Sequence, residues 1–199
     1  MKCTGKIAAI LSSADCIDAN DRDVCAYGLE ILFMTVLEVA SIILISALVG
    51  NFLETVVFFI AFVPLRIYAG GYHADTRIRC YLISLVVYSA YTLLLSSIQS
   101  QYYLYVSAGM SVVNMFIVYI LAPVIHNNKS VGTKEYIKYK KISRCIVIFE
   151  VLVYLIMIFL FKSKYYSFCF VIGQTAVTFS MIAAALKAKI NKKAEICKT

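Results

Sequence analysis

The chain has 199 residues, 62% hydrophobic and only 15% charged, yet its formal net charge is +8. A soluble domain is about 45–50% apolar and about 25% charged, so this composition, with a mean hydropathy of +0.84, excludes an ordinary water-soluble globule. Disorder is excluded too, because it requires low hydrophobicity. A polytopic membrane protein remains, with its charges gathered between the spans.

The first 25 residues do not read as a secretory signal, because Lys2 and Lys6 lead only into a short mixed run before Asp15, Asp18, Asp21 and Asp23. Ile7, Ile10, Leu11, Ala14 and Ile17 recur at helical spacing, which predicts an N-terminal amphipathic helix lying in the membrane interface. Six apolar stretches follow, each near the roughly 20 residues a helix needs to cross the hydrocarbon. They run from Ile31 to Val49, Phe52 to Tyr68, Cys80 to Ile98, Tyr102 to Ile125, Ile142 to Phe161 and Tyr165 to Leu186. They are far longer than the alternating strands of a barrel. The expected fold is therefore all-α, one integral membrane domain over residues 1–199 with six transmembrane helices and a polar tail after 186.

Seventeen of the nineteen Lys and Arg fall on one side of these spans, leaving only Lys162 and Lys164 on the other. By the positive-inside rule the basic side is cytoplasmic, and both termini lie in the cytosol. Tyrosines near the span ends, such as Tyr68, Tyr72, Tyr102 and Tyr165, fit an interfacial belt. Tyr88, Tyr91, Tyr119 and Tyr154 fall mid-span and are expected to pack between helices.

Four of the seven cysteines, Cys3, Cys16, Cys25 and Cys197, fall in the reducing cytosol by this topology, where structural disulfides are rare. Cys145 and Cys169 fall within or near apolar spans and behave there as small hydrophobes. Cys80 differs, because it opens the third span beside a polar stretch from Arg66 to Arg79 that holds His73, the Gly70-Gly71 pair, Asp75 and Arg77. A thiolate is favoured at a helix N-terminus and beside cations, and His73 could accept its proton; His126 is a lesser candidate base. On one continuous helix, residues seven apart are about 10.5 Å apart along the axis, too far for proton transfer. Either the chain is irregular between His73 and Cys80, or the two do not cooperate and Cys80 is an ordinary interfacial cysteine. Gly70 and Gly71 supply a place for the break. A zinc site from His73, Asp75 and Cys80 would have three ligands at no familiar spacing, so no metal or cofactor is expected.

Within the spans, Glu38 and Glu150 are candidate functional groups, neither matched by a Lys or Arg at similar depth. Asn114 and Gln174 are candidate partners for them. Ser107, Ser111 and Asn114 mark one bundle-facing stripe, and Gln174, Thr175 and Thr178 mark another.

Arg66, Tyr68-Ala69-Gly70-Gly71, His73-Ala74 and Cys80 resemble, in order and spacing, the motif of the accessory gene regulator protein B (AgrB) family, membrane cysteine endopeptidases of Gram-positive quorum sensing. Length, six spans, a basic fourth-to-fifth connection and Ala122-Pro123 extend the similarity, although Ser130 stands where members often carry proline. The resemblance implies that Cys80 is the nucleophile and His73 the base, and that activity depends on Arg66 and Gly71. It implies as substrate an AgrD-like precursor peptide with an acidic C-terminal tail. That tail is cut off, and a thioester on Cys80 is converted to a thiolactone or lactone ring. A homodimer in the bacterial cell membrane is expected. Arg77, Arg79, Lys138, Lys140 and Lys141 are expected to shape the site or receive the acidic tail, and the basic excess to meet an anionic lipid bilayer; no nucleic-acid partner is expected. A non-catalytic exporter or sensor subunit for a small peptide is the competing reading.

Overall fold

A computed structural model describes residues 22–72, 74, 76–124 and 132–196. The expected N-terminal interfacial helix lies outside them, as do His73, Asp75 and His126. The elements are α1 (Arg22–Val49), α2 (Phe52–Ala69), α3 (Arg77–Ser97), a short 3-10 turn (Ser100–Tyr102), α4 (Tyr103–Leu121), α5 (Thr133–Phe159) and α6 (Lys164–Ile196). Among the described residues, six helices are long and apolar enough to cross a membrane. The protein is an all-α, multi-pass membrane protein, as its composition requires. Helices satisfy every backbone group within the segment, which hydrocarbon demands. The apolar side chains they turn outward, such as Leu48, Ile120 and Phe159, then face lipid rather than water.

Four helix ends differ from expectation, the first being that of α1, which begins at Arg22, nine residues before Ile31. α4 stops at Leu121, four residues before Ile125, because Pro123 has no N–H for the helix and drives Ala122 into an extended conformation (φ −73°, ψ 141°). α5 begins at Thr133, nine residues before Ile142, so the basic segment there is helical rather than a loop. α6 continues ten residues past Leu186 to Ile196. In both cases charged residues end an apolar run without ending a helix.

The long α6 is the axis of the bundle, with Phe168 to Gln174, Val177, Thr178 and Met181 all buried. At Gly173 it meets α2 so closely that an added Cβ would lie 2.5 Å from the Phe58 carbonyl oxygen and 3.2 Å from Ala61 Cβ. Small residues at a crossing let membrane helices approach to this extent. Polar pairs fix the neighbours. Asn114 Nδ2 donates to Thr175 Oγ1 (2.8 Å), Thr178 Oγ1 donates to Asn114 Oδ1 (2.9 Å), and Ser107 Oγ lies 3.0 Å from Tyr154 OH. Both expected polar stripes thus face the bundle. Gln174 Nε2 donates to Glu150 Oε2 at 3.0 Å, which makes Gln174 the partner of that mid-span acid. Tyr88, Tyr91 and Tyr154 are buried between helices, whereas Tyr119 is half exposed on the outside of α4, with the Arg144 guanidinium 3.9 Å from its ring centroid.

Candidate active site

The site is built at the C-terminal end of α2. Gly70 caps the helix with φ 78°, and Gly71 follows with φ 140°, both in the region that favours glycine. Each glycine is also required by what faces it. A Cβ on Gly70 would fall on the carbonyl oxygen of Val124, and one on Gly71 would fall on Arg66 Nη1. Val124 is close because the segment after α4 pairs with the segment after α2. Its N–H donates to the Ala69 carbonyl at 2.9 Å, and Gly70 and Val124 form an isolated parallel bridge.

Arg66, one turn before the break, folds back over the loop. Its Nη1 donates to the Gly70 carbonyl (3.0 Å) and to Ser180 Oγ (2.8 Å), and its Nη2 donates to the Tyr72 carbonyl (2.6 Å). Tyr72 N–H in turn donates to both the carbonyl and the Oγ of Ser180, each at 3.0 Å. Lys187 Nζ sits 5.1 Å from the Tyr72 ring centroid, within cation–π range. Arg66 thus spends its planar donor fork on the backbone of the glycine loop.

The chain resumes helical form at α3. Thr76 is its N-cap, accepting from Arg79 N–H at 3.4 Å. Cys80 follows four residues on, half-buried and not in a disulfide, and its N–H donates to the Thr76 carbonyl at 3.1 Å. Ser84 Oγ is committed to the Cys80 carbonyl at 3.2 Å. The backbone between Gly70 and Thr76 is non-helical at every described position, so the continuous-helix geometry that would separate positions 73 and 80 does not apply. Arg77 opens α3 and Arg79 is exposed beside Cys80.

The Arg66 guanidinium lies within electrostatic range of the Cys80 thiol and of Glu38. On α5, Lys138 and Lys141 are exposed, whereas Lys140 is half-buried. With Lys134, the two exposed lysines recur at i, i+4 and i+7 along one helix face, and Lys140 lies off it. Ser180 and Val124 hold the loop without being marked in the sequence. Neither residue type carries a signal there, because a serine in an apolar span and a valine after a proline are both unremarkable.

The model of the family described as accessory gene regulator B matches residues 4–181. The chain belongs to this family. Curated AgrB-like relatives are similar over shorter stretches. AgrB-like protein 1 of Clostridium perfringens strain 13 is 24% identical over 58% of this chain and 61% of its own length, and AgrB-like protein 2 of that strain is 25% identical over 65% and 63%. An AgrB-like protein of Listeria monocytogenes serovar 1/2a is 32% identical over 46% and 45%. The chain thus spans about six-tenths of the Clostridium relatives and under half of the Listeria one. No solved structure matches it.

Proposed function

We propose that this AgrB-family protein is a membrane cysteine endopeptidase that removes the acidic tail of an AgrD-like precursor peptide and passes the remaining acyl group on for cyclisation. Family membership supports a role in agr quorum sensing. The observation that carries the finer reading is the position of Cys80. Its thiol stands near the N-terminus of α3, where the helix dipole favours negative charge, and within electrostatic range of Arg66.

In this reading Cys80 gives its proton to His73 and its sulfur attacks the carbonyl carbon after the pheromone segment. The C–N bond breaks, the tail's new amine leaves with the proton from His73, and the acyl group remains as a thioester on Cys80. The precursor's own Cys or Ser then attacks that thioester. Its proton passes back to the departing Cys80 sulfur, and a thiolactone or lactone closes. Thiolactone and acyl-enzyme are chemically similar, so the step is nearly balanced and excluding water from the intermediate matters. The basic ends of the helices face the cytosol, where they attract an acidic tail and anionic headgroups, and the active form is a homodimer.

Proteoliposomes holding the full chain test the proposal. Wild type should release the tail of an acidic-tailed precursor, whereas Cys80→Ala and His73→Ala should not. Release by both variants at the wild-type rate would overturn the Cys80 and His73 peptidase reading, and no release by wild type would favour the non-catalytic exporter or sensor alternative.

A further inference from the structure

We propose that Ser180 is a positioning residue for the Cys80 and His73 reaction, an inference that rests on the endopeptidase reading above. Hydroxyls in the spans of this protein mostly turn back on their own helix. Ser41, Ser84, Ser89, Ser143, Ser167 and Thr175 each donate to the carbonyl four residues before them, the usual solution for a serine or threonine inside a helix. Ser180 is used differently. Its Oγ receives Arg66 Nη1 at 2.8 Å and Tyr72 N–H at 3.0 Å, and its carbonyl receives Tyr72 N–H as well.

Three segments meet at this one oxygen: the last turn of α2, the glycine loop and the middle of α6. On the Gly71 side the contact is tight, since a Cβ there would come within 2.7 Å of Ser180 Oγ. Tyr72 immediately precedes His73 in sequence, so holding the Tyr72 backbone fixes where the chain enters the stretch that carries His73. The far end of the same stretch is held by the Thr76 cap on α3. Ser180 thereby sets the first of two anchors for the segment that joins His73 to Cys80, without itself touching substrate. Arg66 serves the same anchor from the other side, which gives its guanidinium a structural task distinct from binding the peptide.

The full chain in nanodiscs tests this with two readouts, amide hydrogen exchange at Tyr72 and steady-state tail release. Ser180→Ala should speed Tyr72 exchange at least about tenfold while leaving exchange in the α2 and α4 interiors unchanged. It should lower kcat about tenfold with KM within about twofold, the signature of lost alignment rather than lost binding. Ser180→Thr, which keeps the hydroxyl, should recover most of both. Unchanged exchange or unchanged kcat in Ser180→Ala, with Cys80→Ala inactive, would overturn the positioning role and leave the peptidase reading standing. Continued tail release by Cys80→Ala would overturn both, while the exchange readout would still report whether Ser180 holds the loop.

Discussion

Replacing Gly71 by alanine adds one methyl group at the most crowded point of the site. The new Cβ would occupy the position of Arg66 Nη1 and stand 2.7 Å from Ser180 Oγ, on a backbone held at φ 140°. The guanidinium must therefore withdraw, and Nη1 loses its bonds to the Gly70 carbonyl and to Ser180 Oγ. Hydrogen bonds to charged groups contribute about 1.5–3 kcal/mol each. Two of them, partly replaced by water in a half-buried position, leave a net loss of about 3 kcal/mol at the lower bound. Since about 1.4 kcal/mol is a tenfold change in an equilibrium, the loop occupies its ordered form about 100-fold less often relative to its alternatives. Tail release by Gly71→Ala, measured by mass spectrometry on proteoliposomes, should fall by about that factor, with expression and helix content near wild type. Gly109→Ala is the control, because a Cβ there meets nothing within 4 Å and alanine is favoured over glycine in a helix. Activity of Gly71→Ala within threefold of wild type, or an equal loss in Gly109→Ala, would show that the Arg66 contacts do not hold the loop in its active form.

Gly70→Ala should be similarly inactive for a different reason, because its methyl group strikes the Val124 carbonyl; Arg66 accommodates nothing there, so shortening the arginine should not restore release. Glu150→Ala leaves the buried Gln174 amide without its acceptor, so the detergent-solubilised protein should lose about 1–3 kcal/mol, read as a lower midpoint of thermal unfolding. Glu150→Gln should retain most of the stability, since Glu150 Oε1 and Gln174 Oε1 are both unpartnered acceptors that a second amide can begin to satisfy. Replacing Lys138 and Lys141 together by Gln should raise KM for an acidic-tailed precursor several-fold at low ionic strength, with the difference shrinking as salt screens the charges. Lys140→Gln should change KM little, because that side chain lies off the exposed face; equal effects at all three positions would argue against a shared docking stripe.

The spans were legible because hydrocarbon imposes length and apolarity on each helix independently of its neighbours. The break after α2 was legible for a local reason, since two adjacent glycines and a polar run have few uses inside a span. What holds that break in place was not legible. Ser180 and Val124 act through spatial neighbours more than 50 residues away in sequence, and nothing in their own surroundings marks them. Arg66 and Ser180 lie on different helices, so their contact depends on how α2 and α6 are rotated, which periodicity alone does not fix. The helix ends were misjudged where charge was equated with termination. Lys134, Glu135, Lys138, Lys140, Lys141 and Arg144 are good helix formers, and they extend α5 beyond its apolar part; at α4, by contrast, Pro123 stops the helix while the apolar run continues.

The bond from Arg66 to Ser180 joins residues 114 positions apart, and this separation has a consequence for biosynthesis. Chains are made at about 5–20 residues per second, so α2 and the glycine loop emerge several seconds before the residue that latches them. During that interval Cys80 and its loop are already present but lack the anchor that Ser180 provides. The site is completed only when α6 is made, so a chain interrupted between Cys80 and α6 carries every residue of the motif and still has its glycine loop unlatched.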